Sequence, residues 1–480
     1  MNFQECELAI LRMQIDKAQE IKSREVINSP ETSKILKIVE NYIRQNSLIC
    51  YGGIAINALL PKGQKIYNEE IDLPDYDFFS PNALEDAKKL TDEFYKNGFE
   101  EVEAKAAQHH NTFKVYVNFI GVADITYLNP ELFKSVKKKA VKVNGILYTD
   151  ANFLKMGMYL ELSRPGGDTD RWEKVLKRLL LINKYYPIDE KKCANIDFQR
   201  KMEHPENAKE LYDKVKDVLI EENVIFFGGY ALSHYKNYMP ANYKKKIAKI
   251  PDFDVISTDP LKTATLIQDT LTKKGFEIEI YKKDGVGDII PEHYEVKVGN
   301  DTLVFIYQSI ACHSYNVIHE NGKKIRIATI DTILSFYFAF LYADRPYYDT
   351  TRLLCMARLL FKVQEQNRLE QKGILKRFSI TCMGKQLSRE ELREEKSKMF
   401  NKLKTSNKDS KEYEEWFLNY RPDKISVAAA SVVNVDDSVG ALFGGKRKRR
   451  TKRTRKTRNR SRRTKGTRRT KGTRRRTSKR

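Results

Sequence analysis

Asp75 and Asp77, in "PDYDFFS", are two residues apart, and on a strand that spacing turns both carboxylates to one face. Two carboxylates held that close repel unless a proton or a cation lies between them. Asp124, in "GVADITYL", is a third acid, set in an otherwise apolar run of strand character. An acid there is costly unless something compensates it. A solvated turn for the pair and a solvated edge position for Asp124 are the plain alternatives. If the two strands are neighbours, the three carboxylates converge into a set suited to hard divalent cations with oxygen ligands, Mg²⁺ or Mn²⁺. Two such ions would serve an in-line phosphoryl displacement, one at the attacking hydroxyl and one at the leaving pyrophosphate.

Upstream, "ICYGGIAINALL" places Gly52 and Gly53 between a strand-like run and a helical one. Plain turn geometry explains such a pair. So does a phosphate cradle, because without a Cβ the backbone N–H groups opening the next helix can approach an anion that the helix dipole favours. Lys62 and Lys65, in the following loop, could reach a triphosphate or be solvated lysines. The pair His109-His110 reads as a surface feature, since metal-assisted transfer needs no imidazole base.

The elements that must position these residues occur twice. "SLICYGGIAINAL" is matched by "NVIFFGGYALSHY" at an offset of 176, and "PDYDFFS" by "PDFDVIS" at 177. From Phe113 the offset becomes 181 and holds without a gap to about residue 180, so that "FKVYV" lies over "YEVKV". Each copy reads as helix, strand, Gly-Gly turn, helix, Pro-containing loop, acid-bearing strand, helix, β-hairpin and closing helices. The fold class is therefore mixed α/β, with two tandem domains of one fold, each with a small sheet. In the same register Phe305 falls opposite Asp124, while Asp252 and Asp254 remain, so the second copy is expected to be inert. Glu295, a substitute acid, aligns with Lys114 one strand earlier. Arg164 and Arg171 recur as Arg345 and Arg352, which argues for structure, with salt bridges to neighbouring aspartates.

Of the 88 lysines and arginines, 22 lie from Lys446 to the C-terminus, where there is no acid, leaving 66 against 64 acids upstream. The net charge of +24 thus belongs to an appendage. That tail has no apolar residue with which to build a core and is expected to be disordered. It can attract RNA by counterion release, serve as a nuclear-import or packaging signal, or simply solubilise. The six cysteines show no CxxC spacing, which reads as reduced thiols and neither a zinc site nor a disulfide framework. The N-terminus is not of signal-peptide type, and "TILSFYFAFLYA" is too short to span a bilayer and reads as a buried helix.

The ordered set "YGG", "DYDFF" and "ADITYL" resembles the nucleotidyltransferase superfamily of DNA polymerase β type. The stretch between the Gly turn and the acid pair, "IAINALLPKGQKIYNEEIDLP", is longer than in cellular members. It fits the poly(A) polymerase catalytic subunits of large DNA viruses, of poxvirus and giant-virus kind, as do "GGIAINALLP", "DYDFFSPN" and "SRPGGDTDRWEKVLKRL". The resemblance implies template-independent addition of AMP from ATP to RNA 3′ ends in viral mRNA polyadenylation. Carried over, Asp75, Asp77 and Asp124 would be catalytic and bind two Mg²⁺ or Mn²⁺ ions, and Gly52 and Gly53 would hold the ATP triphosphate. The second copy would be the family's degenerate one. Another template-independent nucleotidyltransferase, or an inactive RNA-binding scaffold, are the alternatives. The expected partners are RNA, ATP and a homodimer mate or separate processivity subunit, without a membrane. The expected location is the host cytoplasm or viral factory, with virion and nucleus open. The expected boundaries are an N-terminal helical segment 1–45, a catalytic domain 46–188, a degenerate domain 189–370, a helical extension and linker 371–445, and the tail 446–480.

Overall fold

A computed structural model describes residues 2–68, 74–188, 193, 196, 198, 208–245, 247, 252–367 and 370–422. Residues 69–73, within the long loop before the acid pair, and the whole basic tail lie outside them. The described residues fall in one compact unit that runs from Met1 to Val427.

Helices α1 (Phe3–Ile27) and α2 (Pro30–Asn46) lead into β1 (Ile49–Cys50), α3 (Gly52–Leu59), β2 (Tyr76–Ser80) and α4 (Ala83–Lys96). Then come β3 (Val102–Ala106), β4 (Thr112–Val117), β5 (Ile120–Tyr127), α5 (Pro130–Lys139), β6 (Val141–Val143), β7 (Ile146–Tyr148), α6 (Ala151–Leu162) and α7 (Trp172–Tyr185). The second half runs α8 (Ala208–Glu221), β8 (Ile225–Phe226), α9 (Gly229–His234), α10 (Ala241–Lys244), β9 (Phe253–Ser257) and α11 (Pro260–Thr272). It continues through β10 (Ile278–Lys283), β11 (His293–Val298), β12 (Asp301–Gln308), β13 (His313–Glu320), β14 (Lys323–Ala328), α12 (Ile330–Phe340) and α13 (Thr350–Asn367). The chain then adds β15 (Cys382–Met383), α14 (Arg389–Leu403), α15 (Lys411–Phe417) and β16 (Asn419–Tyr420).

Two mixed sheets result, ordered β16-β3-β4-β5-β2-β1-β7-β6 and β10-β11-β12-β9-β8-β14-β13-β15. Without their last-added edge strands the two orders correspond strand for strand. Strands β4 and β5 lie 181 residues before β11 and β12, so the repeat read from the sequence is a repeat of sheet topology. Each sheet is larger than expected because β3, the β6–β7 hairpin and their counterparts join it. The extension beyond residue 371 is not only helical: β16 closes the β3 edge of the first sheet and β15 the β13 edge of the second. Covering an edge satisfies backbone groups that would otherwise invite foreign strands.

Equal length conceals one divergence. The register lays α5 over β13, a helix over a strand. The helix is written "PELFKSVKKK", with Asn129 capping it and lysines in its last turn, whereas "HSYNVIHE" is β-branched and aromatic.

The halves meet along α6 and α12. Every residue of α12 is buried, as the apolar run predicted. Tyr159 stacks on Phe338, their ring centres 6.0 Å apart. The Tyr342 hydroxyl donates to Asp150, the N-cap of α6, and Arg345 pairs with Glu131 at 2.9 Å. Arg171 pairs with Glu161 at 3.2 Å. Of the recurring arginines, Arg171 and Arg345 thus find glutamates and not the neighbouring aspartates, and Arg345 uses its pair to tie the halves together. Among the described residues no helix is long and apolar enough to cross a membrane.

The cysteine reading is corrected. Cys193–Cys355 and Cys312–Cys382 are disulfide-bonded, with Cα atoms 5.4 and 5.2 Å apart, and Cys6 (exposed) and Cys50 (buried) remain thiols. The partners are 162 and 70 residues apart, so spacing along the chain carried no sign of them.

Candidate active site

Strand β2 lies parallel to β5 with Asp77 directly opposite Asp124. Asp75 precedes the strand, and the Asp77 N–H donates to its carbonyl at 3.2 Å, a tight bend that brings the first carboxylate beside the other two. One ligand oxygen from each of Asp75, Asp77 and Asp124 lies within 4.8 Å of the others. The type of donor and the spacing fit hard divalent cations. Burial, followed by the charges of Asp75 and Asp124, pushes the Asp77 carboxyl up to about 7, with Lys114 and Arg178 opposing. Asp75 is also raised, by burial and then by Asp124. The cluster therefore stores like-charge repulsion that a bound cation relieves.

The hairpin carrying Asp124 turns tightly. Asn118 and Phe119 both have positive φ, 49° and 65°, as a two-residue turn matching the strand twist requires. This fixes the register that sets Lys114 across from Asp124, where the two form an ion pair. Lys114 is held above its ordinary pKa: burial opposes, but the hydrogen bond and charge of Asp124 prevail.

The Gly turn faces this cluster. Gly52 has φ +67°, and a Cβ on it would stand 2.9 Å from Asp77 Oδ2, so geometry and space both call for glycine. Helix α3 begins at Gly52 with no side-chain cap from Tyr51, which leaves its first N–H groups pointing outward. The Tyr67 hydroxyl lies over the turn, 2.3 Å from where a Gly53 Cβ would be, and accepts a hydrogen bond from Arg178 at 2.7 Å. Tyr51 stacks on Phe79 at 3.9 Å and shares a hydrogen bond with Thr126 at 2.9 Å, fastening the turn to β5.

All five sequence-predicted residues therefore stand together. Lys62 is exposed and Lys65 half-buried in the loop beyond, and His110 is exposed and packs on Trp416. Sequence reasoning missed Lys114, Tyr67 and Arg178. A signal existed for two of them: the register replaces Lys114 by Glu295 and Arg178 by Leu359, so these charges belong to the first copy alone.

The second copy has the same frame with a different filling. Phe305 stands opposite Asp254 in the parallel β9/β12 pair, and Glu295 opposite Phe305. Glu295 pairs with Lys283 at 3.0 Å. Phe305 stacks on Tyr347 at 5.2 Å. Asp254 and Asp252 press on the Gly turn, their oxygens 2.0 and 2.2 Å from where Cβ atoms on Gly228 and Gly229 would be. The Tyr230 N–H donates to the Asp252 carbonyl at 3.0 Å. The remaining cavity is about 30 Å³, against about 460 Å³ beside Asp75 and Asp77. This copy is degenerate in structure as in sequence.

Residues 37–168 match the family model of the poly(A) polymerase catalytic subunit. This family is the one the motifs resembled. A protein of African swine fever virus (Tick/Malawi isolate), named as a candidate poly(A) polymerase catalytic subunit, is 37% identical over 181 residues, 36% of this chain and 38% of its own length. A mimivirus protein of the same name, from Acanthamoeba polyphaga mimivirus, is 31% identical over 209 residues, 42% of this chain and 34% of its own. The matches thus span less than half the length of these poly(A) polymerase relatives. The crystal structure of the Megavirus polyadenylate synthase superposes with a TM-score of 0.74 at 20% identity, covering 89% of this chain and 87% of that one. At that identity the likeness is one of fold.

Proposed function

We propose that the chain is a template-independent poly(A) polymerase that transfers AMP from ATP to RNA 3′ ends. The observation that carries this reading is the convergence of Asp75, Asp77 and Asp124 in front of the open N-terminus of α3. The family match over residues 37–168, which contains all of these positions, supports it.

Asp75, Asp77 and Asp124 are the residues that would hold two divalent ions, and such ions supply Lewis-acid activation of the 3′-hydroxyl and charge neutralisation on the triphosphate. The rest of the work falls to the chain. The N–H groups at Gly52 and Gly53 receive triphosphate oxygens, and the dipole of α3 favours their charge. Tyr67 and Arg178 flank that cradle, Arg178 bringing a permanent positive charge to the phosphate side. Lys114 fixes the Asp124 carboxylate in rotamer and position. The 3′-hydroxyl oxygen then bonds to the α-phosphorus as the bond to pyrophosphate breaks, lengthening the RNA by one AMP. The basic tail adds sequence-independent attraction for RNA.

Primer extension tests the reading. A short labelled RNA is incubated with Mg²⁺ or Mn²⁺ and ATP, GTP, CTP or UTP singly, beside an Asp77→Ala control. A ladder with ATP alone, absent in the variant, is the expected result. A ladder with a different nucleotide would make the chain another template-independent nucleotidyltransferase. RNA binding without extension would make it a scaffold.

A further inference from the structure

The register of the first sheet sets a row of charged side chains across β2, β5, β4 and β3. Asp77 lies opposite Asp124, Asp124 opposite Lys114 and Lys114 opposite Lys105, and β16 adds Asn419 opposite Lys105. Residues directly opposite share one face of a sheet, so the whole row lies on the face of the acid cluster. The other face belongs to α2 and α4, which Tyr76, Ser80 and Tyr420 reach through Glu40, Asp86 and Asp92. The side chains of Lys105 and Lys114 are 45% and 38% exposed and Asn419 is exposed, so the row runs out onto an open ledge.

The sheet order puts β1, and with it the Gly52-Gly53 turn, on one side of the acids, and β4 and β3 on the other. An in-line displacement sets the attacking oxygen opposite the leaving one. With pyrophosphate leaving at the Gly turn, the 3′-hydroxyl approaches from the β5 side, and the strand behind it runs over β4 and β3. Lys105 stands two strand spacings, about 10 Å, from Asp124. Tyr116, two residues along β4 from Lys114 and on the same face, lies half-buried opposite Gly121, with the Lys105 ammonium 5.6 Å from its ring centre.

Both lysines are paired. Asp124 holds Lys114, and Lys105 pairs with Glu103, which Arg421 also holds at 3.0 Å. An ion pair as exposed as that of Lys105 is weak, so a phosphate can take Lys105 while Glu103 keeps Arg421. In the second sheet the same row reads Asp254, Phe305, Glu295 and Tyr281, with an acid where Lys114 stands. There the ring and the ammonium change strands, Lys297 lying 5.9 Å from the ring centre of Tyr281.

We propose that this ledge carries the RNA strand just behind its 3′ end, with a phosphate on Lys105 and a base stacked at Tyr116. It rests on the polymerase reading for the direction from which the strand approaches. Stacking on an aromatic ring accepts any base, so one ledge serves both the original 3′ end and the adenosines added to it.

Photocrosslinking to the full chain tests it, in Mg²⁺ without ATP so that no transfer takes place. The probe is a single-stranded (A)12 RNA with a photoreactive base next to its 3′ end, and adducts are mapped by mass spectrometry of peptides. The expected adduct lies within residues 102–117. Tyr116→Ala weakens the apparent affinity read from that adduct by roughly tenfold. Lys105→Glu weakens it too and lowers its salt slope by about one, and it carries the comparison should Tyr116→Ala fail to fold. Tyr281→Ala, at the ring of the second copy, leaves the adduct unchanged. Adducts confined to the basic tail or the second copy, an adduct within 102–117 that neither substitution weakens, or no adduct at all would overturn the proposal. Failure of the polymerase reading shows instead as no extension with any nucleotide, whereas failure of the ledge alone shows as extension with adducts elsewhere.

Discussion

Phe305 stands beside Asp254 in the second sheet as Asp124 stands beside Asp77 in the first. At that register position an acid of a cluster that can hold cations gives way to a ring of a packed aromatic core. Asp252→Asn and Asp254→Asn are expected to leave AMP transfer within about threefold of wild type, while Asp77→Asn lowers it by roughly a thousandfold. Single-turnover extension rates decide it. Comparable losses from both sets would show that the second copy takes part in the chemistry.

The Gly52 turn is strained for any other residue. Gly52→Ala must hold φ near +67° and place its Cβ 2.9 Å from Asp77 Oδ2, so we expect about 1–2 kcal/mol of lost stability together with lost transfer. Urea unfolding and primer extension measure the two effects. At Gly53 the obstacle is the far end of a side chain, Tyr67, and Tyr67→Ala should restore part of what Gly53→Ala removes.

Two buried histidines make stability depend on acidity. Burial lowers His293 to about 4 and His313 to about 3 from an ordinary 6.5. The unfolded chain therefore binds more protons than the folded one below about 6.5. Stability is full above that pH and falls as the pH drops toward 4, with each histidine contributing at most about 1.4 kcal/mol per pH unit. His313 has neither ring nitrogen hydrogen-bonded. His313→Leu should remove its share of the slope in urea titrations between pH 6.5 and 4; an unchanged slope would show that this ring is not buried neutral.

The disulfides give a thiol count. In the oxidised native chain only Cys6 should react with a thiol reagent, because Cys50 is buried and the other four are paired. Four further thiols should appear on reduction and unfolding, in addition to Cys50. Opening either bond should cost about 2–5 kcal/mol, given the long loops each closes. Six thiols in the denatured, unreduced protein would contradict the pairing.

Removing residues 446–480 takes away 22 positive charges. RNA affinity should then fall less steeply with salt, while extension with ATP at low salt persists. Filter binding across a salt series compares the two slopes.

The sequence by itself determined the doubled architecture and which acids and glycines could share one site. Asp75, Asp77, Asp124, Gly52 and Gly53 were legible because their chemistry is local: glycines at a strand-to-helix turn, a two-residue acid spacing, an acid in an apolar strand. The repeat by itself sets Phe305 in the place of Asp124. Tertiary structure alone decided what depends on the meeting of distant segments. It brought Tyr67 and Arg178 together over the Gly turn, 111 residues apart. It closed the Cys193–Cys355 and Cys312–Cys382 bonds, and it added β15 and β16 to opposite sheets from one extension. Periodicity and propensity act over a few residues, whereas these contacts form only when two folded halves pack and bury the surfaces that hold them in place.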